Sequence, residues 1–468
     1  MIDGRPSRPA PHAPGRGRLT VPTSRSPFRH RLRFAAALFA CAAATACAAG
    51  TPGSADDAPR GPVTIRVPAE APTIAAALER ARPHDLVLLS PGRYRETVRV
   101  RTRQVTLRGT DRNRVVIDGE GRRGNGIVVT APGVTVENLT VRSHLQNGVL
   151  VTGLKNGDEG IGRGSDGYHR LDPVADPPLD GFRVRYVTAA DNGLYGIYAF
   201  NARHGTIEHN YASGSADSGI YVGQCKPCGI LVRGNTAERN AVGYENTNAS
   251  GPLWIVGNRF TGNRVGMTIG SDYLEALTPQ AGATVAGNLI ADNEAADTPE
   301  QADGGYGIGL GIAGGRDNVI TRNRITGHPR AGLVLTSTED LPPVGNLMTG
   351  NVFDANAVDA ADLASALAPG TGNCFTGPVG RTVPADLETA MACPGRTTPG
   401  PGGNTLPATP PAPPGVPFLD VPLPPAQPQL PGAATAPATP VTAPSPVDPA
   451  DVPVPSATLL ADRSRDRR

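Results

Sequence analysis

The stretches Gly196-Ile197-Tyr198-Ala199, Gly219-Ile220-Tyr221-Val222, Gly243-Tyr244 and Gly266-Met267-Thr268-Ile269 decide how this chain folds. Each is a short segment opened by a glycine, and successive glycines stand 23, 24 and 23 residues apart. The same unit occurs earlier at Gly126 and Gly148, 22 residues apart, and later at Gly309 and Gly332, 23 apart. Two intervals are longer, 48 residues from Gly148 to Gly196 and 43 from Gly266 to Gly309. Each reads as one period plus an inserted loop. A fixed period of this length marks a repeat architecture, in which one unit alone cannot bury its apolar face. Strands of three to five residues between turns predict an all-β coil of parallel strands, rising about 4.8 Å per turn. Ile197, Ile220, Met267 and Leu333 are the expected inward residues.

A second marker runs in phase with the first. Asn235, Asn258, Asn288, Asn323 and Asn351 each follow Gly or Arg, and a further Asn comes five residues later at Asn240, Asn263, Asn293 and Asn356. His328 breaks that second row. Asn tolerates left-handed backbone at a turn, and stacked Asn side chains hydrogen-bond along a ladder, so these positions predict the corners of the coil. Before the first turn, residues 64–67 and 85–90 read as strands. Between them, 73–82 reads as a short amphipathic helix with Ile74, Ala77 and Leu78 on one side. A helix there would cover a sheet edge that otherwise invites aggregation.

The two ends differ in kind from the middle. Arg29, Arg31 and Arg33 precede the apolar run 34–46, which ends in small residues and is too short to span a bilayer. Residues 1–46 therefore read as an export signal. Ala44-Thr45-Ala46-Cys47 resembles the lipobox of bacterial lipoproteins, which makes Cys47 the expected lipidation site and holds the exported chain on the outer face of the cell membrane. Residues 47–62 read as a linker and 63–395 as the folded coil. Residues 396–468 are crowded with Pro, Ala and Thr, which bury too little apolar surface to offset chain entropy, and read as a disordered, solvated tail. Without residues 1–46 the chain carries 36 basic and 41 acidic residues, a balance of −5. No basic stripe with interleaved aromatics occurs, so no nucleic-acid partner is expected. Nothing in the sequence indicates an oligomeric state.

Four cysteines remain beyond the leader and Cys47, and an oxidising compartment favours two disulfides. Cys374–Cys393 would staple the end of the folded part. Cys225-Lys226-Pro227-Cys228 reads first as a turn disulfide, although its spacing is also that of redox and metal sites.

The stretch I-R-V-P-A-E-A-P-T-I-A-A-A-L-E-R-A-R-P-H-D-L-V-L-L-S-P-G-R-Y, residues 65–94, resembles the opening of many bacterial right-handed parallel β-helix proteins, which are pectin-lyase-like in fold. The family includes carbohydrate-binding and sugar-hydrolase modules. The resemblance implies a single-stranded right-handed parallel β-helix with a short N-terminal capping helix, running to about residue 395. It fixes no single activity, because lyases, hydrolases, epimerases, esterases and non-enzymes share this fold. The family's polygalacturonase motifs N-T-D, D-D and G-H-G do not occur in the coils, nor does the pectate-lyase Arg-x-Pro-x-x-Arg element. Against the epimerase motif Y-G-F-D-P-H, the nearest stretch is Tyr195-Gly196-Ile197-Tyr198-Ala199-Phe200, with Tyr198 in the Asp place and Phe200 in the His place.

Aligning the repeats on their glycines puts Tyr198, Tyr221, Glu245 and Thr268 in one outward row, and Asn201, Gln224, Asn248 and Ser271 in another. Aromatic groups beside amides and carboxylates suit a sugar, which needs apolar contact for its C–H face and hydrogen bonds for its hydroxyls. The expected glycan-binding residues are Tyr198, Asn201, Tyr221, Gln224, Asn246, Asn248, Asp272 and Tyr273. Acids one or two turns apart would span a glycosidic bond, so Asp217 and Glu245 are the candidate catalytic pair, with His204 as proton carrier. The insertion 153–180 holds Asp158, Glu159, Asp166, Tyr168, His169, Asp172, Asp176 and Asp180. It reads first as a solvated lid and second as a set of Ca²⁺ ligands, although no spacing matches a defined calcium loop; no other metal or cofactor is expected. Two functions are weighed on these grounds. The first is a surface lipoprotein binding extracellular or envelope glycan, and the second a polysaccharide lyase, hydrolase or epimerase.

Overall fold

The computed structural model describes residues 61–154 and 171–464. The export segment, Cys47 and most of the linker lie outside the described residues, as do Asp158, Glu159, Asp166, Tyr168 and His169. Each turn of the coil contributes three short strands. In one turn these are Ile230–Arg233, Thr236–Glu238 and Val242–Ala249. They pair in parallel with Leu253–Val256, Arg259–Thr261 and Val265–Gly270 of the next turn. The first two rows join in a sheet of twenty strands, and the third row forms a sheet of eleven.

The repeat period sets the register. Ile197, Ile220, Tyr244, Met267, Leu310 and Leu333 stand directly above one another and all are fully buried. Burying a side chain of this size contributes about 1.5–3 kcal/mol relative to exposure. A turn gains this only when its neighbours are in place, so the stacking holds the fold together.

The corners carry the expected Asn ladders. Asn235 Nδ2 donates to Asn258 Oδ1 at 2.9 Å, Asn258 to Asn288 at 2.9 Å, Asn288 to Asn323 at 2.9 Å and Asn323 to Asn351 at 3.0 Å. Each of these four also donates to a backbone carbonyl of the preceding turn, as Asn258 does to Val232 at 3.0 Å. The left-handed backbone lies one residue earlier than the sequence reading placed it. Gly234, Gly257, Gly287, Arg322 and Gly350 have φ between 53° and 62°, which leaves the Asn free to serve as ladder member. A third ladder, Asn318–Asn346–Asn373, with bonds of 2.8 Å, was not read from the sequence.

The capping helix spans Ile74–Arg80 and buries Ile74, Ala77 and Leu78. Thr73 caps it by accepting from Ala76 N at 3.1 Å. Glu96 accepts from the backbone N–H groups of Ile74 and Ala75 at 3.2 and 3.1 Å, placing a negative charge where the helix needs it. Pro83 follows closely, and the residue before a proline is turned from helical geometry. Both expected disulfides are present, Cys225–Cys228 and Cys374–Cys393.

The Pro-rich segment departs from its sequence reading as a solvated tail. Residues 404–464 contain no strand, yet they lie against the coil, with Val421, Gln427, Leu430 and Ala433 buried. Proline offers no N–H donor but keeps its carbonyl, and arginine offers five donors and no acceptor. The coil supplies those arginines. Arg112 donates to Pro428 O at 3.0 Å, Arg264 to Pro413 O at 2.6 Å and Arg324 to Pro455 O at 2.9 Å. Arg108 reaches Ala436 O and Pro437 O, and Arg322 reaches Val452 O at 3.1 Å.

Candidate functional site

The outward row of the eleven-stranded sheet keeps the register that the glycines imply. Tyr198 pairs with Tyr221, Tyr221 with Glu245, and Glu245 with Thr268. The rings of Tyr198 and Tyr221 lie nearly parallel, 8° apart in plane, with centroids 4.8 Å apart. Tyr195 packs against both, at 4.5 and 4.8 Å. All three are buried, so the ring faces are used against one another and the edges are what a ligand meets.

Above Tyr221 a loop of residues 271–280 closes one side of a cleft of about 250 Å³. The loop is pinned from below by side chains at the strand ends. Asn248 Nδ2 donates to Asp272 O at 2.7 Å, Asn248 Oδ1 accepts from Asp272 N at 3.1 Å, and Gln224 Oε1 accepts from Ala276 N at 3.1 Å. Glu275, carried by this loop, accepts from Tyr221 OH at 3.3 Å. Burial, reinforced by the nearby Glu275 and Glu245 carboxylates, pushes the Tyr221 phenol well above its ordinary value. It stays protonated at neutral pH and can serve as a donor.

Two acids meet at the floor of the cleft. Ser218 Oγ lies 2.6 Å from Glu245 Oε2 and 3.2 Å from Asp217 Oδ1. The two carboxylate oxygens that share this hydroxyl are therefore no more than about 6 Å apart, short of the about 6.5–9.5 Å spacing of inverting glycosidase pairs. Thr247 Oγ1 also donates to Glu245, at 3.2 Å.

The remaining sequence candidates fall in several places. Asp272 lines the cleft and Tyr273 does not; Tyr273 is exposed and donates to Asp340 Oδ1 at 2.6 Å. Asn201, Gln224 and Asn248 take left-handed backbone at the strand ends, with φ of 51°, 50° and 46°, and their side chains hold loops instead of facing solvent. Asn201 donates to Asp176 O at 2.9 Å. Asn246 points into the coil, in line with Val222 and Ile269, because positions two apart from Tyr244 share its inward face. His204 belongs to the strand Ala202–Glu208 of the other sheet, where its Nδ1 meets Asp180 Oδ1 at 2.6 Å, and does not join Asp217 and Glu245. Ser218, Glu275 and Asp303 line or build the cleft and were not singled out from sequence. Glu275 and Asp303 sit in the long interval between Gly266 and Gly309, and that extra length was the one signal they gave. Among the described residues, no group of three or more His, Cys, Asp or Glu side chains is placed to hold a metal ion.

The family profile described as "Right handed beta helix region" matches residues 125–273 and 179–353, the strands that carry these tyrosines and carboxylates. The chain is a right-handed parallel β-helix protein. No curated protein sequence matches it. Solved structures similar to this β-helix include the mannuronan C-5 epimerase AlgE4 A-module of Azotobacter vinelandii, with 15% identity, a TM-score of 0.40, and coverage of 66% of this chain and 92% of that one. An alginate lyase from Paenibacillus sp. str. FPU-7 has 15% identity and a TM-score of 0.38, covering 68% and 97%. The DFA-IIIase of Arthrobacter chlorophenolicus A6 has 14% identity and a TM-score of 0.38, covering 63% and 83%. At these identities the likeness is one of fold, and the chemistry of this β-helix has to be argued from its own cleft.

Proposed function

We propose that the chain is an exported glycan-active enzyme that cleaves a glycosidic bond with Asp217 and Glu245. The observation that carries this reading is the single Ser218 hydroxyl between their carboxyl groups, which keeps an oxygen of each acid within about 6 Å of the other, close enough for both to reach one glycosidic bond. Glu245, which accepts from the hydroxyls of Ser218 and Thr247, is assigned to the anomeric carbon, and Asp217 carries the proton to the leaving oxygen. Tyr221 and the loop above it narrow the cleft and keep bulk water from its floor. Residues 1–46 direct export, and Cys47 is the assigned lipid attachment point that keeps the coil at the outer membrane surface.

Binding without turnover is the second reading. It is favoured by the mutual stacking of Tyr195, Tyr198 and Tyr221, which makes a rigid polar-edged wall. Incubation with a panel of polysaccharides, followed by mass spectrometry of the products, separates the two. The enzyme reading expects shortened oligosaccharides from the wild type and a loss of at least 10³-fold in rate for Asp217→Asn combined with Glu245→Gln. Glycan retained on the protein with no product would leave the binding reading. Undiminished turnover by the double variant would remove both acids from the mechanism.

A further inference from the structure

The outward row of the eleven-stranded sheet changes character along the coil, and the change sets where a bound chain runs; this inference rests on the glycan reading above. Toward the N-terminus the row is Tyr198, Leu150 and Val128, in direct register and no more than 1% exposed. That side of the cleft is shut. In the other direction Glu245 is followed by Thr268 and then Gly311, again in direct register, and all three are partly exposed. Val334, the next member, is buried once more, in a cluster that Leu406 of the C-terminal segment packs against. The open floor therefore covers three turns, about 10 Å from Glu245 to Gly311 at the ordinary strand spacing. Gly311 keeps that floor low. A Cβ placed there would meet no atom of the described residues within 4 Å, its chain neighbours aside, and its φ lies outside the left-handed region. Neither packing nor backbone calls for glycine at this position, so the space above it is what the small residue leaves.

An aromatic side chain stands beside this floor. Tyr273 is 38% exposed and follows Asp272, which lines the cleft. Its hydroxyl donates to Asp340 Oδ1 at 2.6 Å, in the loop after Ala331–Thr336, two turns further along the coil. The bond spans the turn of Gly311 and fixes the ring while leaving it open to solvent. The loop is also tied at its root, where Ser271 Oγ donates to Gly314 O at 2.8 Å and Thr278 Oγ1 to Asp272 O at 2.6 Å. A ring fixed in the open gives a sugar its apolar face, and little side-chain freedom is lost when the sugar lands on it. The cleft itself, about 250 Å³, is smaller than the roughly 300–1,000 Å³ of sites that enclose a whole small ligand. An oligosaccharide that reaches the acids must therefore lie partly outside. The geometry points to a linear glycan that leaves the cleft in one direction, crosses Thr268 and Gly311, and rests a further sugar on Tyr273. Tyr273 and Gly311 stand apart from the acid pair, so they determine the length of chain that is held and not the chemistry done on it.

The test compares a disaccharide with a hexasaccharide in each of three series: cello-, chito- and mannuronate oligomers. Binding is measured by calorimetry on the full chain carrying Glu245→Gln, so that no oligomer is turned over. In a series that binds, the hexamer should bind at least tenfold tighter than the dimer. Gly311→Phe fills the open floor and should remove that gain, while the dimer's affinity and the thermal midpoint stay unchanged. Tyr273→Ala should weaken the hexamer several-fold and spare the dimer; Tyr273→Phe, which keeps the ring but loses its tie to Asp340, should fall between the two. Equal affinities for dimer and hexamer, or a hexamer gain that survives Gly311→Phe, would overturn the extended track and leave the cleft in place. Equal effects of Tyr273→Ala on dimer and hexamer would overturn the outer platform as well. Binding of no oligomer in any series would remove the glycan reading itself.

Discussion

His328 stands in an asparagine's place and reports on its surroundings through its charge. It continues the second ladder, with Nε2 at 3.1 Å from Asn293 Nδ2 and Nδ1 at 2.8 Å from Asn356 Oδ1. An amide nitrogen only donates and an amide oxygen only accepts, so the ring fits with Nε2 bare and Nδ1 protonated, which is the neutral imidazole. Burial lowers its pKa from 6.5 to about 4. The unfolded chain therefore takes up a proton that the folded chain refuses between those two values. Stability is full above pH 6.5 and falls as the pH drops toward 4, by about 3 kcal/mol at most. His144, also lowered to about 4 by burial, adds a slope of the same sign. His328→Asn should restore a uniform ladder and flatten part of that slope, as seen in urea midpoints at pH 7 and pH 4.5. A slope equal to the wild type's would show that His328 does not set it. This position was visible in the sequence as the break in an Asn row, because the row itself is periodic. Glu275 was not visible, since it lies in an inserted loop whose path no period dictates.

At the scale of the element, the corner ladders convert sequence spacing into three-dimensional register. Asn258 receives from Asn235, donates to Asn288 and donates to Val232 O. Asn258→Ala leaves Val232 O and the Asn235 amide without their partner inside the protein, and each buried group so stranded costs about 1–3 kcal/mol. The variant should lose about 2–5 kcal/mol in denaturant unfolding; a loss under 1 kcal/mol would show that the ladder decorates the turn without holding it. The first two ladders were legible because Gly or Arg precedes nearly every member. Asn318, Asn346 and Asn373 form a third on another corner, and their row was hidden among the polar residues of a loop-rich stretch. The outward tyrosines show the same division. Their register followed from the glycine period, whereas their burial draws on side chains outside that row, Tyr195, Leu154 and Leu194.

For the whole molecule, the C-terminal segment changes what the coil presents to solvent. Composition alone describes residues 396–468 as unable to fold, and the described residues among them make only three single-turn 3₁₀ helices, Phe418–Asp420, Pro449–Asp451 and Ala461–Arg463. The complement lies hundreds of positions away, in arginines spaced along the coil whose role no local pattern reveals. Arg112 is fully buried beneath the segment, and burial lowers its pKa to about 9. A chain ending at residue 403 should unfold several degrees lower in a thermal scan, because those arginines would lose their carbonyl partners and the apolar burial of Val421, Leu430 and Ala433 would be gone. An unchanged midpoint would mean that the segment rests on the coil without supporting it.

The account as a whole turns on two acids 28 positions apart in sequence that stacked turns bring together, and their closeness has a stereochemical consequence. Carboxyl groups about 5–5.5 Å apart work by double displacement, whereas those at about 6.5–9.5 Å leave room for a water and invert the anomeric centre. The direct measurement is proton NMR of the first sugar released from the glycan that the wild-type protein cleaves, read before mutarotation. The geometry of Asp217, Ser218 and Glu245 predicts that the product keeps the anomeric configuration of the substrate. Release of the inverted anomer would contradict it.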